Sequence, residues 1–231
     1  MIRAILNSRA VARLLEVMDR RTENRMTELG MLAQAFEFSK INGIEGDYLE
    51  FGVWRGKTFK QARRMALRYG CKEVRYKAFD SFQGLPAVER SPYEVWQTGQ
   101  FACSQAEFHS VLAADGFSKQ EYELFPGFYR ESLNDALLAR FNREGVKAKI
   151  VYVDCDLYES TVPVLRFIAQ LIQDGTVLCF DDYYSYRGLP GFGEQLAIEE
   201  FLAHHPHIKF IPYFPYSPVG MSFIAHVKPA T

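Results

Sequence analysis

The sequence predicts a single α/β domain built on a doubly wound, mainly parallel β-sheet of about seven strands. Its 231 residues are 48% hydrophobic, which is enough to bury one complete core. From residue 46 onward, short apolar runs alternate with amphipathic segments, the pattern of strands and helices in a parallel sheet. The last two apolar runs are joined by PYSPV, a connection too short for a crossover helix. We therefore expect a parallel sheet that ends in a C-terminal antiparallel hairpin.

The first 45 residues are predicted to form a helical N-terminal segment. Apolar residues recur there at three- and four-residue steps, as Leu14, Met18, Leu29 and Leu32 do. We assign residues 1–45 to the same domain as residues 46–231. The apolar stripe of this segment suits either a lid over the substrate or a contact between subunits of a homo-oligomer.

The elements of the sheet follow in order along the chain. Strands are predicted at YLEF, VRYKAF, YELF, KIVYV, TVLCF, IKFIPYF and GMSFIAHV. Helices are expected near residues 57–69, 104–114, 131–143 and 159–173. The longest irregular stretch is residues 82–103, and a loop of that length in a compact domain is more often a functional lid than a simple connection.

Composition narrows the classes of partner. Basic and acidic residues nearly cancel, at 27 against 28, so no overall basic field favours nucleic acid. No apolar run is long enough to span a membrane, and the four scattered cysteines suit buried, reduced thiols. The Arg-rich N-terminus also suits an organelle presequence, but the acidic residues that soon follow favour an ordinary surface helix. We expect a cytoplasmic protein with a small-molecule partner.

The first chemical motif is GDYLEFGVWRGKTF, where the first strand turns into its helix. Glu50, Gly52 and Gly56 fall at this turn, and glycines there let a ligand approach the backbone closely. The spacing E-x-G-x-x-x-G differs from the dinucleotide-binding G-x-G-x-x-G, so a dinucleotide is disfavoured. An ordinary strand-to-helix turn explains the glycine pair equally well when it is taken alone.

Asp80 ends the second strand, in YKAFDSFQGLP. A carboxylate at this point can accept hydrogen bonds from both hydroxyls of a ribose. Together with the glycine turn, Asp80 indicates a binding site for a nucleoside that carries no phosphate.

Four stretches in this order resemble the macrocin O-methyltransferase family, whose members use S-adenosylmethionine to methylate sugar hydroxyls on macrolide and aminocoumarin natural products. The stretches are GDYLEFGVWRGKTF, FDSFQGLP, VYVDCDLYEST and VLCFDDYYSYRG, and they span most of residues 46–200. The resemblance implies a class I methyltransferase, Rossmann-like fold. It also implies roles for individual residues in binding S-adenosylmethionine. These are Glu50, Gly52 and Gly56 beside the methionine and ribose, Asp80 on the ribose hydroxyls, Ser81 and Phe82 near the adenine, and Gln100, Phe101 and Ser104 in an adenine-side or lid segment.

Two further strands each end in a pair of aspartates, Asp154 with Asp156 and Asp181 with Asp182. Adjacent strand ends lie within about 5 Å of each other, so four ionised carboxylates would repel strongly without a cation. Oxygen ligands without clustered His or Cys suit Mg²⁺, or another hard divalent cation such as Mn²⁺ or Ca²⁺, and argue against zinc. The alternative is that Asp156 and Asp182 cap the following helix or turn.

The resemblance implies that Asp154, Asp181 and Asp182 are the metal ligands. A sugar hydroxyl is a poor nucleophile near neutral pH, so the enzyme must orient it and help remove its proton. We assign Asp154 as ligand and catalytic base, with Asp156 as the alternative base. Some family members supply a histidine near the substrate, and this sequence has no obvious counterpart, so Asp154 and Asp156 are the two candidates for the base.

The leading hypothesis is an O-methyltransferase that depends on S-adenosylmethionine and a divalent metal, and whose acceptor is a hydroxylated small molecule, a sugar above all. A metal-dependent hydrolase on the same sheet would explain the aspartates but not the glycine turn or Asp80. A binding module that retains the cofactor pocket without turnover is the third hypothesis. The sequence does not identify the acceptor.

Overall fold

The computed structural model of the protein describes residues 26–89 and 91–228, and residues 1–25, which carry half of the predicted N-terminal helical pattern, lie outside them. Seven helices of four or more residues are described: α1 Glu28–Ile41, α2 Lys57–Arg68, α3 Gln105–Ala114, α4 Tyr129–Ser132, α5 Asp135–Glu144, α6 Tyr158–Ile168 and α7 Gly193–His204. The seven strands are β1 Asp47–Phe51, β2 Tyr76–Asp80, β3 Tyr122–Pro126, β4 Ala148–Val153, β5 Ile172–Phe180, β6 Ile208–Tyr216 and β7 Gly220–Val227. A 3₁₀ turn spans Tyr186–Gly188.

The strands form one sheet in the order β3-β2-β1-β4-β5-β7-β6. The pairs among β3, β2, β1, β4 and β5 are parallel, whereas β7 runs antiparallel to both β5 and β6. The predicted sheet of seven strands with a C-terminal hairpin is therefore confirmed. Strand order reverses between β1 and β4, and a crevice at such a reversal is where doubly wound sheets bind their ligands.

Helices cover both faces of the sheet and enclose two apolar cores. Buried side chains anchor the helices: Phe36 of α1, Phe59 of α2 and Phe108 of α3 on one face, and Phe141 of α5, Leu165 of α6 and Phe201 of α7 on the other. Full burial of such a side chain stabilises the fold by about 1.5–3 kcal/mol. Because α1 shares a core with α2 and α3, it packs as part of this domain, while the boundary near residue 45 stays a prediction.

Helix α6 is shorter than the sequence indicated. The expected helix ran from 159 to 173, but α6 ends at Ile168, and β5 already begins at Ile172. Ile172 pairs with Ala148 of β4 and therefore belongs to a strand, although the helical periodicity had assigned it to the helix. The predicted helix near 131–143 is also divided, into α4 and α5.

Residues 82–103 contain no helix or strand among those described, as expected of the long loop. All four cysteines are buried, and none of them is joined in a disulfide. Within the described ranges, no helix combines the length and apolarity that crossing a membrane requires.

Candidate active site

A cavity of about 540 Å³ opens at the carboxyl ends of the parallel strands, where strand order reverses between β1 and β4. The strand ends are joined by backbone hydrogen bonds: the Asp154 N–H donates to the Phe51 carbonyl over 2.8 Å, and the Asp181 N–H donates to the Val153 carbonyl over 2.9 Å. Eight of the residues predicted from the sequence line this cavity. They are Gly52, Asp80, Ser81, Phe101, Asp154, Asp156, Asp181 and Asp182.

Gly52 is required by the packing of the backbone at the strand reversal. Its φ is +87°, and a Cβ placed on it would lie 1.7 Å from the carbonyl oxygen of Asp154. Any side chain at position 52 would therefore separate the ends of β1 and β4. The sequence associated Gly52 with close approach of a ligand. In the structure, Gly52 also allows the ends of β1 and β4 to lie against each other.

Gly56 stands outside the cavity wall, at the start of α2. It has a φ of +68°, and a Cβ there would lie 3.0 Å from the ring of Phe108. Its small size lets α2 begin against α3, and its assignment to the cofactor stays a prediction.

Asp80 organises the loop that follows β1. Its Oδ2 accepts hydrogen bonds from the N–H groups of Val53, at 2.9 Å, and Trp54, at 3.0 Å. Its Oδ1 accepts from the N–H of Phe82 at 2.7 Å. Because each carboxylate oxygen has two lone-pair sites, Asp80 retains acceptor capacity toward the cavity while it fixes the loop.

Glu50 lies beneath the cavity, fully buried. The Thr58 hydroxyl donates to its Oε1 at 2.5 Å, and the Tyr48 hydroxyl donates to its Oε2. Burial raises the pKa of Glu50 to about 8, against the lowering effect of these two hydrogen bonds. In this structure Glu50 supports the end of β1 through these hydrogen bonds, and its contact with the cofactor stays a prediction.

The remaining predicted cofactor residues, Phe82, Gln100 and Ser104, have local roles. Phe82 packs edge-on against the Phe108 ring. Gln100 accepts a hydrogen bond from the Gln97 N–H, and Ser104 caps α3 by accepting from the Glu107 N–H at 3.1 Å. None of the three lines the cavity, and their roles toward the adenine stay predictions.

Three aspartates converge on the floor of the cavity. Asp154, Asp156 and Asp182 each place one carboxylate oxygen so that these atoms lie within 4.8 Å of one another. Asp156 has a φ of +62°, a conformation uncommon for a residue with a side chain. This turn after β4 is what brings its carboxyl group to the cluster.

The carboxyl groups of the cluster hold their protons more tightly than isolated ones. Burial, followed by the charges of Asp181 and Asp182, raises the pKa of Asp154 well above its usual range. Burial and the neighbouring Asp182 raise the pKa of Asp156 in the same way. The pKa of Asp182 is also raised by burial, although the hydroxyl of Ser185 donates to it at 2.9 Å.

Asp181 lines the cavity but is not a member of the compact cluster, and its role as a metal ligand stays a prediction. Its Oδ1 accepts a hydrogen bond from the Tyr152 hydroxyl at 2.5 Å. The compact cluster is therefore Asp154, Asp156 and Asp182, and it includes Asp156, assigned from sequence only as an alternative base, in place of Asp181.

Two buried glutamates near the cluster were not singled out from the sequence. Glu194, at the start of α7, is fully buried and accepts from the N–H of Asp182 at 3.2 Å. Glu159, in the first turn of α6, lines the cavity. Glu159 lies within the stretch VYVDCDLYEST, so that stretch was the available signal, whereas Glu194 belongs to none of the quoted stretches.

The loop of residues 82–103 supplies one side of the cavity through Leu85, Trp96 and Phe101. The loop closes on itself, because the Leu85 N–H donates to the Gln100 carbonyl at 2.9 Å and the Gly99 N–H donates to the Leu85 carbonyl at 2.8 Å. The five histidines of the chain all fall in the described part, and none of them lines the cavity.

Comparison with known proteins assigns the chain to a family. The profile of the macrocin-O-methyltransferase (TylF) family matches residues 21–205, which is most of the sequence. The chain belongs to the macrocin-O-methyltransferase family. It is therefore an S-adenosylmethionine-dependent O-methyltransferase.

Individual relatives of this O-methyltransferase agree with that assignment. It is 25% identical over 188 residues to the 8-demethyl-8-(2,3-dimethoxy-alpha-L-rhamnosyl)-tetracenomycin-C 4'-O-methyltransferase of Streptomyces olivaceus, covering 74% of this chain and 69% of the relative. It is 23% identical over 190 residues to the mycinamicin III 3''-O-methyltransferase of Micromonospora griseorubida, covering 74% and 72%. Among solved structures, it is similar to CalS11, a calicheamicin methyltransferase, with a TM-score of 0.68 and 26% identity over 87% of this chain and 80% of that one.

Proposed function

We propose that this enzyme transfers a methyl group from S-adenosylmethionine to a hydroxyl of a glycosylated or polyhydroxylated small molecule, with a bound divalent cation. The observation that carries the proposal is the convergence of Asp154, Asp156 and Asp182 on the floor of a cavity at the strand reversal, in a chain of this family. The relative from Streptomyces olivaceus acts on a rhamnosyl-tetracenomycin, as its name states, which supports a sugar hydroxyl as the acceptor.

The aspartate cluster fits a hard divalent cation such as Mg²⁺. Three carboxylate oxygens within 4.8 Å of one another offer the ligand type that Mg²⁺ prefers. A bound cation would also offset the repulsion between the ionised carboxylates. Asp154, Asp156 and Asp182 would hold the cation, and Asp181 adds a fourth acid to the same wall. When bound, such a cation lowers the pKa of a coordinated hydroxyl.

The side chains of the enzyme would orient the acceptor and accept its proton. Asp156 is buried and Asp154 is partly buried, and both carboxyl groups have a raised pKa. A base whose pKa lies closer to the working pH accepts a proton more effectively. Leu85, Trp96 and Phe101 would exclude water from the reacting groups.

The cofactor would lie on the β1 and β2 side of the cavity. Gly52, Asp80 and Ser81 line that side, and the one acceptor site left on Oδ1 of Asp80 suits a ribose hydroxyl. The cation cluster lies on the β4 and β5 side, so cofactor and acceptor would meet across the strand reversal.

Isothermal titration with S-adenosylhomocysteine tests the cofactor half of the proposal. We expect wild-type protein to bind it, and Asp80→Ala to weaken binding by about 1–3 kcal/mol, because a hydroxyl partner and the anchor of the Val53 and Trp54 N–H groups are both lost. Mg²⁺ affinity should not change in this variant. Absence of binding to the wild type at millimolar ligand, or wild-type affinity in Asp80→Ala, would count against the assignment.

A further inference from the structure

Glu159 is a buried carboxylate that the rest of the protein leaves unpaired. It lies in the first turn of α6 with 7% of its surface exposed. Neither Oε1 nor Oε2 has a hydrogen-bond partner within residues 26–89 and 91–228. Of the two other buried glutamates, Glu50 accepts from Thr58 and Tyr48 with its two oxygens. Glu194 accepts from the Asp182 N–H with Oε2, and only its Oε1 has no partner among the described residues.

An unpaired buried carboxylate lowers the stability of the free protein, because both oxygens have lost water and gained no donor. A first-turn acid does interact favourably with the helix N-terminus, but that interaction is also available to an exposed side chain. Burial of Glu159 without donors is therefore explained better by a ligand that supplies them.

The position of Glu159 indicates which ligand that is. Glu159 lines the main cavity and also a second cavity of about 470 Å³, and Tyr129 and Arg130 line both. The expected cofactor residues Gly52 and Asp80 follow β1 and β2, whereas Glu159 belongs to the helix that follows β4. Glu159 is also not a member of the compact aspartate cluster of the described residues.

We propose that Glu159 binds the acceptor, by accepting hydrogen bonds from hydroxyl groups of its sugar other than the one that is methylated. This assignment rests on the proposed function, because it requires a polyhydroxylated acceptor in the main cavity. Two unpaired carboxylate oxygens can accept from two neighbouring hydroxyls, which fixes the orientation of a sugar ring as well as its position. Glu159 is thus a specificity residue for acceptors that carry further hydroxyls beside the reacting one.

The test uses Glu159→Gln and Glu159→Leu, with the exposed Glu199→Gln on α7 as the matched control. Methyl α-L-rhamnopyranoside, a small glycoside with three hydroxyls, is titrated into protein saturated with S-adenosylhomocysteine and MgCl₂, and binding is followed by protein NMR. We expect the glycoside Kd to rise about tenfold or more in Glu159→Leu and less in Glu159→Gln, which retains one carbonyl acceptor. The Kd for S-adenosylhomocysteine should stay within about twofold of wild type, and the control should bind both ligands as the wild type does.

The thermal unfolding midpoint of the free proteins gives a second test. If Glu159 had a structural role, its substitution would lower this midpoint. Because the carboxylate is unpaired, both Glu159 variants should unfold at or above the wild-type midpoint. A lower midpoint in Glu159→Gln, or unchanged glycoside affinity in Glu159→Leu, would overturn the assignment of Glu159 alone. Failure of wild-type protein to bind any of a panel of methyl glycosides, while it still binds S-adenosylhomocysteine, would remove the sugar acceptor from the proposed function and this assignment with it.

Discussion

Glu50 couples the stability of the free protein to pH. Its pKa is raised from 4.5 to about 8 by burial, so the folded state keeps a proton that the unfolded state has lost over this interval. Stability from this group is fully present below about pH 4.5 and is lost as pH rises toward about 8. The loss is on the order of 3–5 kcal/mol for a shift of this size.

Glu50→Gln should remove this dependence, because Gln keeps the shape and cannot ionise. In EDTA and without cofactor, we expect the variant to match the wild type near pH 5 and to exceed it in unfolding free energy near pH 8. Urea unfolding at the two pH values measures the difference. Parallel pH profiles of the two proteins would show that Glu50 is not protonated in the fold.

Under the proposed function, we expect the aspartates of the compact cluster to be cation ligands and Asp181 to be a supporting residue. Asp156→Asn and Asp182→Asn should each lower Mg²⁺ affinity about tenfold or more, since each loses a charged oxygen of the compact cluster. Asp181→Asn should lose less, because Asp181 lies outside the compact cluster of carboxylate oxygens. Titration of MgCl₂ into protein saturated with S-adenosylhomocysteine measures the three affinities, and Glu199→Gln serves as control. A loss in Asp181→Asn equal to that in Asp182→Asn, with Asp156→Asn unaffected, would restore the ligand set that the resemblance implied.

At the scale of elements, the loop of residues 82–103 is held over the cavity by contacts at its middle. The guanidinium of Arg187 stacks on the Tyr93 ring at 4.1 Å, and Arg130 forms an ion pair with Glu89 at 3.3 Å. A loop fastened by two partly exposed contacts can open without unfolding the domain. These contacts suit a lid that opens for the acceptor.

Arg187→Ala should therefore expose the loop to protease. Chymotrypsin cleaves after aromatic residues, and the loop offers Tyr93, Trp96 and Phe101. We expect faster cleavage in Arg187→Ala than in the wild type, and slower cleavage of both when S-adenosylhomocysteine and a methyl glycoside are present. Arg68→Ala, which removes a similar stacking contact on Tyr69 away from the cavity, is the control. Equal cleavage of free and liganded wild type would argue against a lid.

The sequence was most informative where a periodic pattern is repeated. Each predicted strand is present because alternating or continuous apolar runs have few other ways to be buried. The end of α6 was missed, because Ile172 is apolar in either element and only its pairing with Ala148 decides between them.

The part of the site that lies at strand ends could be predicted from the sequence. Residues at strand ends, such as Asp80 and Asp154, follow from the topology of a parallel sheet. The positive φ of Asp156 and the hydrogen bond from Tyr152 to Asp181 depend on packing between separate segments, and no local pattern encodes them. For the same reason, the sequence did not show that Glu50 lies below the cavity.

At the scale of the whole molecule, the strand reversal lies between the proposed cofactor site and the proposed site for the cation and acceptor. The β1 and β2 half would bind the cofactor, and the β4 and β5 half would hold the cation and acceptor. Gly52 joins the halves, since its missing side chain allows contact with the carbonyl of Asp154. Contact between subunits through the N-terminal segment stays a prediction.

Methyl transfer from labelled S-adenosylmethionine to a panel of glycosides, in MgCl₂ and in EDTA, tests the central claim most directly. We expect label on a glycoside hydroxyl in MgCl₂, none in EDTA, and recovery when excess MgCl₂ is restored. Asp182→Asn should be impaired at low MgCl₂ and recover in part at high MgCl₂, because the loss of one ligand weakens cation binding without removing the site. Full turnover in EDTA, with Asp154→Asn, Asp156→Asn and Asp182→Asn all near the wild type, would contradict a catalytic cation held by this cluster.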